Sequence, residues 1–214
     1  MPTFASISDD FNDNSVGAMW TNNYGGAVET GGRARVPCAS GNYAGYQTSK
    51  AYTLQNSSIF VELVTVPVAS TATDMNVVFG ILSQTDGTGL QFNYSPVTGN
   101  LRLESNVAFF DAGATVITFS AVTHRWMRYT VTGGNVLWET SPDGNTWTTR
   151  RTLASPAWVS GGTDNLGVEM FCYRDLGTAD YAEWDNLNIA PAATSAVGEA
   201  NIITAQAIRR AHYW

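Results

Sequence analysis

Apolar and polar residues alternate with a period of two over most of the chain, the pattern of strands with one buried face. In Ser58–Val68, Ile59, Val61 and Leu63 share a face. Met75–Leu82 is apolar on both faces and predicts a central strand. Leu90, Phe92 and Tyr94 alternate, as do Leu101 and Leu103. Further strands are predicted over Thr115–Phe119, Trp126–Val131, Val136–Thr140, Thr146–Leu153, Leu166–Tyr173 and Tyr181–Ile189. Between them stand Gly31-Gly32, Asp86-Gly87, Gly99-Asn100, Gly133-Gly134 and Asp143-Gly144, the residues tight hairpins need. No amphipathic helix interrupts before Pro191. The spacing predicts an all-β, antiparallel two-sheet β-sandwich over residues 1–189.

Residues 190–199 are small and read as a linker. Residues 200–214 form a tail in which Ile202, Ala205, Ile208 and His212 fall on one helical face, predicting a short helix.

Composition narrows the picture. The chain has 214 residues, 44% hydrophobic and 12% aromatic, enough for a core and too apolar for disorder. Charged residues are only 14%, the net charge is −7, and Lys50 is the single lysine. Such a surface suits neither nucleic acid nor an anionic membrane, which need clustered cations. There is no apolar run of the length a spanning helix needs. Met1-Pro2-Thr3-Phe4-Ala5 lacks the features of a signal peptide, so synthesis without export is expected. Cys38 and Cys172 form no CxxC pair. They read either as buried free thiols or as a long-range disulfide in an oxidising compartment.

Five local motifs occur in order. They are Asp9-Asp10-Phe11-Asn12-Asp13 with Trp20; Tyr46–Tyr52 before the Ile59–Val68 strand; His124-Arg125-Trp126-Met127-Arg128-Tyr129; Ser141–Trp147; and Trp184-Asp185-Asn186-Leu187-Asn188-Ile189. Together they resemble the concanavalin A-like lectin/glucanase jelly roll. The resemblance implies a carbohydrate-handling fold. Glucanases of this fold carry a carboxylate pair on one strand, in the pattern E-x-D-x-E. Glu183-Trp184-Asp185 is the close match, but Leu187 and Asn188 stand where a third carboxylate would be, and the closing strand is the wrong place. No HExxH, GxSxG or phosphate-binding glycine loop is present. No catalysis is therefore expected, and Asp185 is expected to bond the N-terminal Asp9-Asp10-Phe11 segment. Trp126, Trp147 and Trp184 are expected in the core.

Sugar rings stack on exposed aromatics. The candidates for carbohydrate binding are Trp20, Tyr24, Tyr43, Tyr46, Trp158 and Tyr173, with Asn22, Asn42 and Asp164 nearby. Asp9, Asp10, Asp13 and Asp185 are candidate ligands of a structural calcium ion; no other cofactor is expected. The tail residues Ile202, Ile203, Ile208, Arg209, Arg210, Tyr213 and Trp214 have the composition of a docking segment. With the polar, nearly lysine-free surface, they suggest a virion structural protein of a tailed bacteriophage, in the tail or decorating the capsid. Its partners would be other virion proteins in a symmetric assembly and a host-surface glycan. The alternative is a free carbohydrate-binding module.

Overall fold

The computed structural model describes residues 1–160 and 165–192. Among the described residues the chain enters through a single 3-10 turn, Phe4–Ser6, and then runs as fourteen strands. These are β1 (Asn22–Tyr24), β2 (Val28–Glu29), β3 (Ala34–Cys38), β4 (Asn42–Gln47), β5 (Ser58–Thr65), β6 (Met75–Leu82) and β7 (Gly89–Ser95). There follow β8 (Asn100–Asn106), β9 (Thr115–Thr118), β10 (Trp126–Thr132), β11 (Asn135–Ser141), β12 (Thr148–Ala154), β13 (Gly167–Arg174) and β14 (Asp180–Asp185). One helical turn, Ala157–Ser160, precedes β13.

Two antiparallel sheets face each other. One has the order β12-β11-β10-β5-β14-β3-β2. The other has the order β13-β6-β7-β8-β9, and the β1–β4 pair extends its β13 edge. Backbone bonds from Gly41 N to Arg174 O and from Thr48 N to Val168 O fasten β4 there. The fold is the concanavalin A-like jelly-roll sandwich.

Period two decides which side chains meet between the sheets. Ile59, Val61 and Leu63 of β5 face Phe79, Phe92, Leu101 and Leu103, all nearly or fully buried. Tyr129 and Trp138 cross the interior and finish it with hydrogen bonds. Tyr129 donates to Phe79 O at 2.7 Å, and Trp138 Nε1 donates to Gln91 O at 3.3 Å. Trp184 joins this aromatic cluster as expected. Trp126 and Trp147 do not. They lie on the outward face of the seven-stranded sheet, flanking Phe60, and Arg128 stacks on Trp147 at 4.1 Å while pairing with Glu139 at 2.8 Å. The period explains the correction: Trp126 pairs with Glu62 and Arg128 with Phe60, on the face opposite Met127 and Tyr129. β1 and β4 have no clean alternation and were not predicted as strands.

Candidate functional site

The outward face of the β13-β6-β7-β8 layer carries a cleft of about 500 Å³. Registers place Glu169, Gly80, Gln91 and Glu104 in one row across four strands. Gly80 contributes no side chain, so the row opens into a groove between Glu169 and Gln91. Glu104 is withdrawn by Arg102, 2.6 Å away. Glu169 stays on the groove floor.

Tyr24 donates its hydroxyl proton to Glu169 Oε1 at 2.5 Å. The approach requires Gly45 on β4, where a Cβ would meet Met170 O at 2.6 Å and the Tyr24 hydroxyl at 2.9 Å. Burial raises the Glu169 carboxyl above the ordinary range, and the Tyr24 bond and the Lys50 charge only partly offset it. Burial and the Glu169 charge push the Tyr24 phenol far up, so it serves as a donor.

Aromatics stand at both rims. Tyr43 is exposed and stacks on Tyr173 with ring centroids 4.3 Å apart. Across the cleft Phe109 is 74% exposed. It is lifted by a turn in which Ala108 and Phe109 both adopt positive φ, 51° and 65°. Phe109 N bonds Gly87 O at 2.9 Å, and its ring lies so close over Gly87 that a Cβ there would meet it at 2.6 Å. Lys50, Gln47, Asn106 and Asp86 add polar walls.

The structure sorts the predicted residues. Tyr24 and Tyr43 line the cleft, and Tyr173 supports Tyr43. Trp20 and Tyr46 do not, because both are buried. Trp20 Nε1 donates to Asp9 Oδ2 at 2.8 Å. Trp158 packs against the core. Asn22 bonds Gln47, and Asn42 bonds Gly25 O. Asp164 and the tail residues Ile202, Ile203, Ile208, Arg209, Arg210, Tyr213 and Trp214 lie outside the described residues.

The four aspartates proposed for calcium are not brought together as a ligand set. Asp9 accepts from Phe11 N and Trp20, Asp10 from Asn12 N, and Asp13 from Ser15 N. Asp185 pairs with Arg33 rather than with the N-terminal segment, which instead bridges to the chain through Asp9 and Leu187. Among the described residues no group of three or more His, Cys, Asp or Glu is disposed to hold a metal. Glu183 is likewise engaged, by Arg35 at 2.7 Å and Thr65 at 2.8 Å.

Glu169, Lys50, Gln91 and Phe109 were missed. An inspection of outward positions would have found Glu169, a carboxylate in mid-strand with Gly167 and Phe171 as its same-face neighbours.

No family model matches the sequence, and comparison with curated proteins finds no match. Solved structures do match. An endo-1,3-beta-glucanase (laminarinase) catalytic domain from Thermotoga petrophila RKU-1 is 9% identical, with a TM-score of 0.61, covering 85% of this chain and 94% of its own. A structure described with endo-acting O-glycanases of the human gut microbiota that initiate mucin breakdown is 6% identical, with a TM-score of 0.61, covering 87% and 99%. Bacillus licheniformis beta-glucanase is 14% identical, with a TM-score of 0.55, covering 85% and 95%. At these identities the likeness is one of fold.

Two expectations are corrected here. The chain was expected to be a virion structural protein and to lack catalysis. The matching structures named above are glycan-cleaving enzymes, not virion components. Glu183-Trp184-Asp185 lies on β14 of the seven-stranded sheet, whereas the cleft lies on the other sheet.

Proposed function

We propose that the chain is a glycan-cleaving hydrolase that holds an extended glycan in the cleft. The observation that carries this reading is Glu169: a half-buried carboxyl on the cleft floor, oriented by Tyr24 and raised above its ordinary range. A carboxyl that keeps its proton nearer neutrality can deliver it to the departing glycosidic oxygen. Tyr43 and Phe109 offer stacking faces to sugar rings on either side, and Gln91, Gln47 and Asn106 offer hydroxyl partners.

The carboxylate arrangement departs from the one-strand pair of glucanases. Gly167 and Phe171 flank Glu169 on its face of β13, so no carboxyl stands two residues away to act as nucleophile. The second carboxyl lining the cleft is Asp86, in the β6–β7 turn. We assign Glu169 the acid role and Asp86 the activation of water.

The test is release of reducing ends from β-1,3-glucan, mixed β-1,3-1,4-glucan and mucin O-glycans. Glu169→Gln is expected to lower kcat by about 10²–10⁴-fold with an unchanged melting temperature. Cleavage that persists in Glu169→Gln, or no cleavage of any of the three by the unaltered chain, would overturn the reading.

A further inference from the structure

Lys50 stands in the connection between β4 and β5, half-buried on the wall of the cleft. The backbone on either side of it is fixed against β13. Thr48 N bonds Val168 O at 3.0 Å, and Tyr52 and Leu166 exchange two backbone bonds. Gln84 Nε2 donates to Lys50 O at 3.3 Å and to Asn165 O at 3.2 Å, which ties the connection to the β6–β7 turn. A Cβ at Gly167 would meet Lys50 Cγ at 3.4 Å, so the aliphatic stem of the lysine lies along that glycine.

Registers place Gly167, Leu82, Gly89 and Asn106 in a second row across the four strands. It lies two residues along the strands from the row of Glu169, about 7 Å away on the same face. Gly167 and Gly89 carry no side chain, so the groove continues past Glu169. Lys50 stands at the β13 end of this second row and Asn106 at its β8 end.

The ammonium has no counter-ion. Among the described residues every ion pair is made by an arginine, and neither Glu169 nor Asp86, the carboxyls of the cleft, pairs with Lys50. A cation partly screened from water on a glycine floor attracts an anion more strongly than a fully exposed one does. The chain's single lysine is therefore an unmatched positive charge beside the position given to the scissile bond.

We infer that Lys50 selects acidic glycans, taking a carboxylate or sulfate on a sugar next to the one held at Glu169. The inference rests on the reading of the cleft as a glycan site and names the class of glycan. A lysine ammonium is a compact point charge with three donors, so it suits either anion.

The experiment titrates the Glu169→Gln chain by calorimetry, which reads binding without cleavage. The probes are neutral, sulfated and carboxylated forms of one β-1,3-glucan oligosaccharide and of one mucin O-glycan. At least one acidic form should bind about tenfold or more tighter than its neutral parent in low salt. The sulfated and carboxylated arms show which anion is taken. Raising the salt to about 1 M should erase most of that preference, and adding Lys50→Gln should abolish it. Equal binding of acidic and neutral forms, binding of none, or a preference that survives Lys50→Gln would overturn the inference. Its failure is separable from failure of the hydrolase reading. An unaltered chain that cleaves neutral and acidic glycans alike sinks the inference and keeps the hydrolase. A Lys50-dependent preference in a chain that cleaves nothing does the reverse.

Discussion

Glu169 can donate a proton only while it holds one, so activity should fall as pH rises through its ionisation. Tyr24 lowers that ionisation by bonding the charged form. Tyr24→Phe is therefore expected to move the falling limb of the kcat profile to higher pH, a shift that mere loosening of the cleft would not produce. Glu29 is a second raised carboxyl with a different consequence. Burial and the neighbouring Asp13 and Asp9 carboxylates lift it from 4.5 to about 7. The folded chain then keeps a proton that the unfolded chain releases above pH 4.5. Stability is complete below that pH and declines until about pH 7. The melting temperature should be lower at pH 8 than at pH 5, and Glu29→Gln should remove about half or more of that difference. His124 behaves conversely. Burial and Arg150 lower it to about 4, and its Nδ1 accepts the Ser120 N–H, so it is neutral across this range.

Among the elements, the β8–β9 connection binds the cleft rim to the body of the sandwich. Asp111 accepts from Ser105 N at 2.7 Å and Gly113 N at 2.8 Å, and pairs with Arg151 of β12 at 2.6 Å. Both partners are nearly buried, and Arg151 also lies over Trp138 at 4.8 Å. Asp111→Ala would strand the guanidinium, and a loss of about 3–5 kcal/mol is expected in denaturant unfolding. Strands of this kind were legible in the sequence: β5 to β14 fall within a few residues of where period two put them. The reason is that Ile59, Val61 and Leu63, or Leu101 and Leu103, each face one core. The short β1 and β4 gave no such signal, because Asn22, Asn23 and Asn42 lie at an edge where backbone bonds to β13 decide the strand. The cleft was hidden for a related reason. Glu169 and Gln91 sit at the polar positions of alternating strands, and only register reveals that they share a row with a glycine between them.

At the scale of the whole molecule, the sandwich closes on itself. Phe4 N bonds Thr53 O, Asp9 and Leu187 exchange two backbone bonds, and Asn188 holds the carbonyls of Phe4 and Ile7. Both ends of the described core are thus tied to each other. A chain ending at residue 192 is expected to unfold in one cooperative step, measured by calorimetry. Arginine pairs cover the seven-stranded sheet's outer face: Arg33–Asp185, Arg35–Glu183, Arg125–Glu62 and Arg128–Glu139. The low lysine content therefore reflects where cations are used. Most arginines are spent in planar pairs, and the one lysine lines the cleft.

The turn that raises Phe109 makes stability and recognition compete. Two residues with side chains are held there in the left-handed region. A glycine at position 108 would relax that strain and steady the fold by about 0.5–1 kcal/mol. It would also free the ring to swing off the rim. A lineage selected for thermal endurance alone would drift toward glycine at this corner, while one selected for a fixed aromatic rim would keep the strain.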